Sequence, residues 1–451
     1  MFAANKTAKK VAVIGAGWAG CAAALTLAQA RHHVTLCEAS RTLGGRAREV
    51  EINGMRLDNG QHIMLGAYAS CLSVMRQAGL KPEEHFLRLP LQMPYPPGQG
   101  MQFIAPDFPW PAPLHLAIAL WRAQGLSGAD KMALARFSTS ARWMGWQLHT
   151  DCSVAELLMR FEQTPNLIKL MWRPLCLAAL NTPPERASSQ VFLAVLRDSL
   201  GAKRRAASDM LLPKSDLSSI LPVACAERIR TLGGQVHTAC TINALSRSEN
   251  GWQLQTRNDA DSPLQAQTFD AVILATPAAT SAKLLQEHGV TLPAFEYEAI
   301  TTCYLQYDAS VKLARPMYAL IDDEHSQQWG QFVFDRGQLH SDQAGLLAVI
   351  ISAADAAAQL PHEALSQHIA AQLATVLKMP ALAQPQWSQI ITEKRATFAC
   401  NVGLGLTRPD NAVNLPGVFL AGDYTKGEYP ATLEGAVRSG MLAAQLVKQS
   451  A

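Results

Sequence analysis

Short runs of uninterrupted apolar residues recur at three distant places: Val11-Ala12-Val13-Ile14, Ala271-Val272-Ile273-Leu274-Ala275 and Val418-Phe419-Leu420-Ala421. A strand covered on both faces reads this way, because neither side meets water, so these runs predict buried parallel strands. His33-Val34-Thr35-Leu36-Cys37 and Gln235-Val236-His237-Thr238 predict two more. Small residues fill 21–28 (Cys-Ala-Ala-Ala-Leu-Thr-Leu-Ala), which predicts a helix able to lie close on such a sheet. Helices are also predicted at 114–121, at 224–232 ahead of Gly233-Gly234, and at 365–377 ahead of Pro380. From Asp130 the apolar residues Phe137, Ala141, Met144 and Leu148 recur at helical spacing. Alternation in Thr302-Cys303-Tyr304-Leu305-Gln306-Tyr307 and Gln331-Phe332-Val333-Phe334 predicts strands of a mixed sheet. The α/β pattern breaks after residue 85. Pro90, Pro94, Pro96, Pro97, Pro106, Pro109, Pro111 and Pro113 interrupt regular structure there, with aromatic residues between them. The expected organisation is a three-layer Rossmann-like domain of residues 1–85, 221–290 and 391–451. Interleaved with it is an α+β substrate domain, with a mixed sheet and helices, of residues 86–220 and 291–390.

The turn after the first strand carries chemistry. Gly15-Ala16-Gly17-Trp18-Ala19-Gly20 is a G-x-G-x-x-G turn, and Glu38 ends the second strand 23 residues after Gly15. In such a turn the first glycine permits the tight bend and the second lets backbone approach a pyrophosphate. The third brings helix and strand close, and the helix N-terminus offers free N–H groups to phosphate. Glu38 is placed to accept hydrogen bonds from an adenosine ribose and disfavours a 2′-phosphate. Strand, turn, helix and acid together predict a dinucleotide site, for FAD or NAD. Leu43-Gly44-Gly45-Arg46 adds a second glycine loop with a cation beside it, suited to a diphosphate.

Composition narrows the remaining classes. The 39 Lys and Arg barely exceed the 36 Asp and Glu, giving a net charge of +3, which argues against a dedicated nucleic-acid binder. Nine scattered cysteines, with no C-x-x-C and no His/Cys spacing for a metal, fit reduced thiols in a cytoplasm and no metal site. No signal-type apolar region precedes the first strand, and no stretch is apolar enough to span a bilayer, so any membrane contact is expected to be peripheral. The helices at 114–148 present either a core face or an interfacial face that draws lipid from a bilayer. No G-x-S-x-G or H-E-x-x-H motif suggests hydrolysis.

The order G-A-G-x-A-G, Glu38, L-G-G-R resembles the flavin amine oxidase and phytoene desaturase superfamily. The segment Asp58-Asn59-Gly60-Gln61-His62-Ile63-Met64-Leu65-Gly66-Ala67-Tyr68 resembles one branch, the squalene-associated FAD-dependent desaturases. So do 171–183 (M-W-R-P-L-C-L-A-A-L-N-T-P), 191–196 (V-F-L-A-V-L) and 210–218 (M-L-L-P-K-S-D-L-S). Lying in the inserted region, these last three speak to substrate more than to cofactor.

The resemblance implies FAD. It implies contact of Glu38 and Ala39 with the adenosine, of the Val236 backbone with adenine, and of the Thr276-Pro277 turn with the diphosphate. Gly422-Asp423 would accept a ribityl hydroxyl, and the last helix, opening at Thr432, Leu433 and Ala436, would face the flavin N1/O2 edge, where charge accumulates on reduction. It implies reductive dehydroxylation of hydroxysqualene to squalene, a step toward hopanoids. Protonation and loss of an allylic hydroxyl would be followed by hydride from reduced flavin. The proton-donor candidates are His62, Asp58 and Tyr424 beside the flavin, and Asp209 and Asp216 from the insertion. The implied partners are a hydrophobic isoprenoid, the cytoplasmic membrane at its surface, and neighbouring squalene-pathway enzymes. Carotenoid desaturation, amine oxidation and a non-enzymatic lipid-binding role are the alternatives.

Overall fold

The structure, a computed structural model, describes residues 8–107, 114–202, 204–257 and 264–450. Pro109, Pro111, Pro113 and the turn-rich 258–262 lie outside the described residues. The strands Lys10–Ile14, His33–Cys37, Gln235–His237, Ala271–Leu274 and Val418–Leu420 form one sheet, with Lys10–Ile14 at its centre. Every pairing in it is parallel. Parallel strands require crossovers that cover both faces, which is why Val11 to Val13 and Val272 to Leu274 have no exposed surface. Helix Trp18–Gln29 packs on this sheet and against the last helix, Leu433–Gln449.

A second sheet holds Met317–Ala319, Phe332–Asp335, Leu346–Ser352, Tyr297–Gln306 and Trp387–Phe398 in that order. It is antiparallel throughout rather than mixed. The short connections between its strands allow direct hairpin-like returns, so no crossover helix is needed. Trp387–Phe398 runs through residue 390, where the sequence pattern placed a domain boundary, because it pairs along the whole of Tyr297–Gln306. A three-stranded sheet of Met64–Leu65, Met210–Pro213 and Phe86–Leu89 likewise joins segments on both sides of residue 85.

The helical insertion is pinned to the second sheet by one residue. Asn181 ends helix Arg173–Leu180 in the left-handed conformation that asparagine tolerates. Its side chain donates to Thr397 Oγ1 at 2.9 Å and accepts from the Ala353 N–H at 2.6 Å. Trp172, fully buried, donates its indole N–H to Gln163. Among the described residues, no helix is long and apolar enough to cross a membrane.

Candidate FAD site and the turn at residues 58–62

The first turn has the geometry its glycines require. Gly15 adopts φ +102°, and its N–H donates to the Cys37 carbonyl at 2.7 Å. Glu38 accepts from the Ala16 N–H at 2.7 Å and from the Ser40 N–H at 2.9 Å, so the acid at the end of the second strand holds the turn open. Val236 pairs with Leu36 on the adjoining strand, and the Glu38 N–H donates to the His237 carbonyl. Ala39 is exposed beside them. The Gly44 N–H donates to the Ala16 carbonyl at 3.0 Å, so the two glycine loops lie side by side.

Arg46 reaches across to the C-terminal segment. Its Nη2 meets Asp423 Oδ1 at 2.6 Å and its Nη1 donates to the Ala396 carbonyl at 2.9 Å. Two elements some 377 positions apart in sequence therefore converge at the end of the first sheet, against an edge strand of the second. The Thr276-Pro277 turn joins the same place. Thr276 Oγ1 lies 2.8 Å from Ser281 Oγ, which lies 3.0 Å from the Tyr424 hydroxyl.

These residues fit FAD. A Cβ built on Gly17 meets nothing nearer than 3.9 Å, so the turn leaves a cradle that even a methyl group would begin to fill. Gly17 caps helix Trp18–Gln29 without any side-chain bond, leaving the helix end to attract an anion. The last helix is capped by Thr432, whose Oγ1 accepts from the Gly435 N–H at 3.1 Å, with Leu433 and Ala436 in its first turn.

Of the five acid candidates, the structure keeps only Asp58 and His62 together, on one turn docked against the second sheet. The Tyr304 hydroxyl donates to the Asp58 carbonyl at 2.8 Å, and Thr302 Oγ1, buried without a partner, lies 3.5 Å from where a Cβ on Gly60 would sit. The Asp58 carboxyl is 1% exposed; Oδ1 accepts from the Leu217 N–H at 2.8 Å and Oδ2 has no partner. Burial pushes this carboxyl up to about 7, against the Leu217 hydrogen bond and the Arg336 cation, which pull it down. His62 Nδ1 is 2.6 Å from the Gly60 carbonyl. A carbonyl only accepts, so Nδ1 carries the proton and Nε2 the lone pair. Burial also lowers the imidazolium's hold on a second proton, so His62 is a neutral acceptor and not an acid near pH 7.

The other three have different employment. Tyr424 spends its hydroxyl on Ser281. Asp209 is ion-paired with Arg88 at 2.9 Å. Asp216 accepts from the Ser219 N–H and hydroxyl at 2.8 and 2.6 Å, which caps the following helical turn. The 210–218 segment, read from sequence as a substrate element, also braces the cofactor loops. Ser218 Oγ donates to the Leu43 carbonyl at 2.7 Å and accepts from the Glu49 N–H at 3.0 Å.

Sequence patterns did not single out three residues that build the site. Arg408 is buried, donates to the carbonyls of Asp423, Gly427 and Tyr429, and lies over the Phe398 ring at 5.2 Å. Arg336, 1% exposed, bonds Gln61 and Gln343 beneath the 58–62 turn. Glu434, fully buried, accepts from the Ser70 and Cys71 N–H groups at 3.1 and 2.9 Å and from Arg438 at 2.7 Å. The helix Ala69–Gln77 has no cap of its own, so the last helix supplies one. Glu434→Ala would leave two buried donors and Arg438 unpaired. It should cost on the order of 3 kcal/mol, read as a fall in chemical denaturation midpoint. A signal existed only for Glu434, an acid in the first turn of a helix, where it reads as an ordinary N-terminal acid.

The sequence model described as "Flavin containing amine oxidoreductase" matches residues 18–448. The chain belongs to this family. Its cofactor is FAD, and it is an oxidoreductase. The chain is 30% identical over 470 residues to a hydroxysqualene dehydroxylase of Rhodopseudomonas palustris, covering 97% of this chain and 98% of the relative. A protein of the same name from Sinorhizobium fredii is 27% identical over 449 residues, covering 97% and 98%. Among solved structures, an engineered putrescine oxidase variant superposes with a TM-score of 0.70 at 18% identity, over 98% of this chain and 99% of that one. That likeness shows the fold alone.

Proposed function

We propose that the chain converts hydroxysqualene to squalene by reductive dehydroxylation. The end-to-end similarity to hydroxysqualene dehydroxylases carries this reading. The site supports it with a buried carboxyl that holds its proton at neutral pH. In this reading the turn Gly15, Ala16, Gly17, Trp18, Ala19 and Gly20, with Glu38, Ala39 and Val236, holds the adenosine half of FAD. Gly44, Gly45, Arg46, Thr276 and Pro277 hold the diphosphate. Gly422, Asp423, Thr432, Leu433 and Ala436 hold the ribityl chain and the flavin edge. Bound FAD in its reduced form supplies the two electrons and the hydrogen that replaces the hydroxyl. Asp58 gives its proton to the allylic hydroxyl, which leaves as water, and the resulting delocalised cation is kept from recapture by the apolar walls. His62, neutral, accepts through Nε2 and does not compete as an acid.

The test is an anaerobic single turnover. Photoreduced holoenzyme mixed with hydroxysqualene should yield squalene and oxidised flavin in equal amounts. Unchanged hydroxysqualene with flavin still reduced would overturn the reading. Desaturated product from oxidised enzyme and phytoene would replace it with carotenoid desaturation.

A further inference from the structure

The insertion carries large apolar side chains on its outside. Trp143 is 91% exposed, Trp121 75%, Met159 70%, Met132 60% and Leu114 45%. They are ordered. In helix Gly128–Trp143, the residues Met132, Arg136, Thr139 and Trp143 recur at three- and four-residue spacing along one outward stripe, while Ala133, Leu134, Phe137 and Ala141 face the core. In helix Leu114–Arg122 the outward stripe is Leu114, Ala117 and Trp121, and His115 and Ala119 face in. The two helices are stitched together by Lys131, whose Nζ donates to the Trp121 carbonyl at 2.8 Å. Met159 joins the same patch, because Arg136 pairs with Glu162 at 3.7 Å and the Glu162 N–H donates to the Met159 carbonyl. A helix apolar on both faces needs a second apolar environment.

We infer that this patch is a docking surface for a bilayer containing anionic lipid. Charge complementarity selects that occupant. Residues 114–143 contain Arg122, Lys131, Arg136 and Arg142 but only one acid, Asp130, which is buried in a helix cap. Four cations less one acid give +3, as much as the whole chain's net charge, concentrated in thirty residues. Basic side chains at headgroup level, with tryptophan and methionine pointing past them, match an interface in the membrane plane. No helix inserts across it, so the contact is peripheral and reversible. The inference rests on exposed side chains and charge, and stands apart from the substrate reading.

Flavin-loaded protein is sedimented with vesicles of phosphatidylcholine alone or mixed with phosphatidylglycerol. Binding is expected to the mixed vesicles and to weaken with salt, with tryptophan emission shifting to the blue and quenched by brominated acyl chains. Trp143→Ser with Met132→Ser should lower the partition coefficient about tenfold or more. Arg142→Gln should lower it about fivefold. Both variants must keep their flavin absorbance and melting temperature, so that lost binding is not lost fold. Equal pelleting of wild type and double variant, or no pelleting of either, overturns the inference. Concentration-dependent dimerisation lost in the double variant, without vesicle binding, overturns it in favour of a second copy of the chain.

Discussion

Gly20→Ala is expected to leave almost no folded protein, whereas Gly17→Ala, three residues earlier, is expected to fold and lose FAD. The two glycines share a motif but answer to different constraints. A Cβ on Gly20 would sit 1.8 Å from the Gly15 carbonyl oxygen and 3.0 Å from the Ala275 Cβ. Both neighbours are fixed by the central strands of the parallel sheet, so neither can give way, and the overpacking should cost at least about 3 kcal/mol. Gly17 has φ −72° and ψ −179°, a conformation alanine adopts freely, and an added methyl has 3.9 Å of clearance. What that methyl enters is the space the pyrophosphate needs. Circular dichroism and the ratio of flavin to protein absorbance check the pair. Gly17→Ala should keep the spectrum of a folded α/β protein with flavin content reduced about tenfold or more. Full flavin content in Gly17→Ala would mean that the cradle is not where the diphosphate lies. Soluble, flavin-loaded Gly20→Ala would mean that the helix can lift from the strand.

That distinction shows what a sequence reveals and what it hides. The parallel strands are legible because burial on both faces forces an unbroken apolar run. The first turn is legible because only glycine fits three of its six positions. Arg46 and Asp423 could each be named as a cofactor residue, but not that they bond one another across the site, since nothing local encodes a contact 377 residues long. Arg408 and Arg336 left no trace. A buried guanidinium satisfied by carbonyls and amides follows no period, and in sequence it resembles any surface arginine. Asp209 and Asp216 illustrate the converse. Both stand in a segment resembling one branch of the family, and both prove to be occupied, one by Arg88 and one by a helical turn. The second sheet came out antiparallel because alternation reports one covered face and says nothing of strand direction.

The protonation of Asp58 yields the second large effect, and its sign is fixed. In the unfolded chain an aspartate titrates near 4, whereas in the folded protein burial raises this one to about 7. Between those values the folded state binds the extra proton, so unfolding releases it and the contribution to stability falls as pH rises. Below about 4 the carboxyl is neutral in both states and nothing is lost. Above about 7 the native state carries a buried carboxylate with Oδ2 unsatisfied, at a cost on the order of 4 kcal/mol. Asp58→Asn keeps an acceptor for the Leu217 N–H and has no charge to bury. Its melting temperature relative to wild type should therefore climb steadily from pH 4 to pH 7 and then level off. A difference independent of pH would show that Asp58 is already ionised, or that Arg336 compensates it fully.

The same substitution tests the proposed chemistry through a separate readout. If Asp58 donates the proton that expels water, single-turnover squalene formation should drop about a hundredfold or more. Flavin content should be unchanged, and the wild-type decline in rate above neutral pH should disappear. A more stable variant that still turns over at the wild-type rate would leave the buried proton a purely structural one and return the search for the acid to the groups facing Thr302.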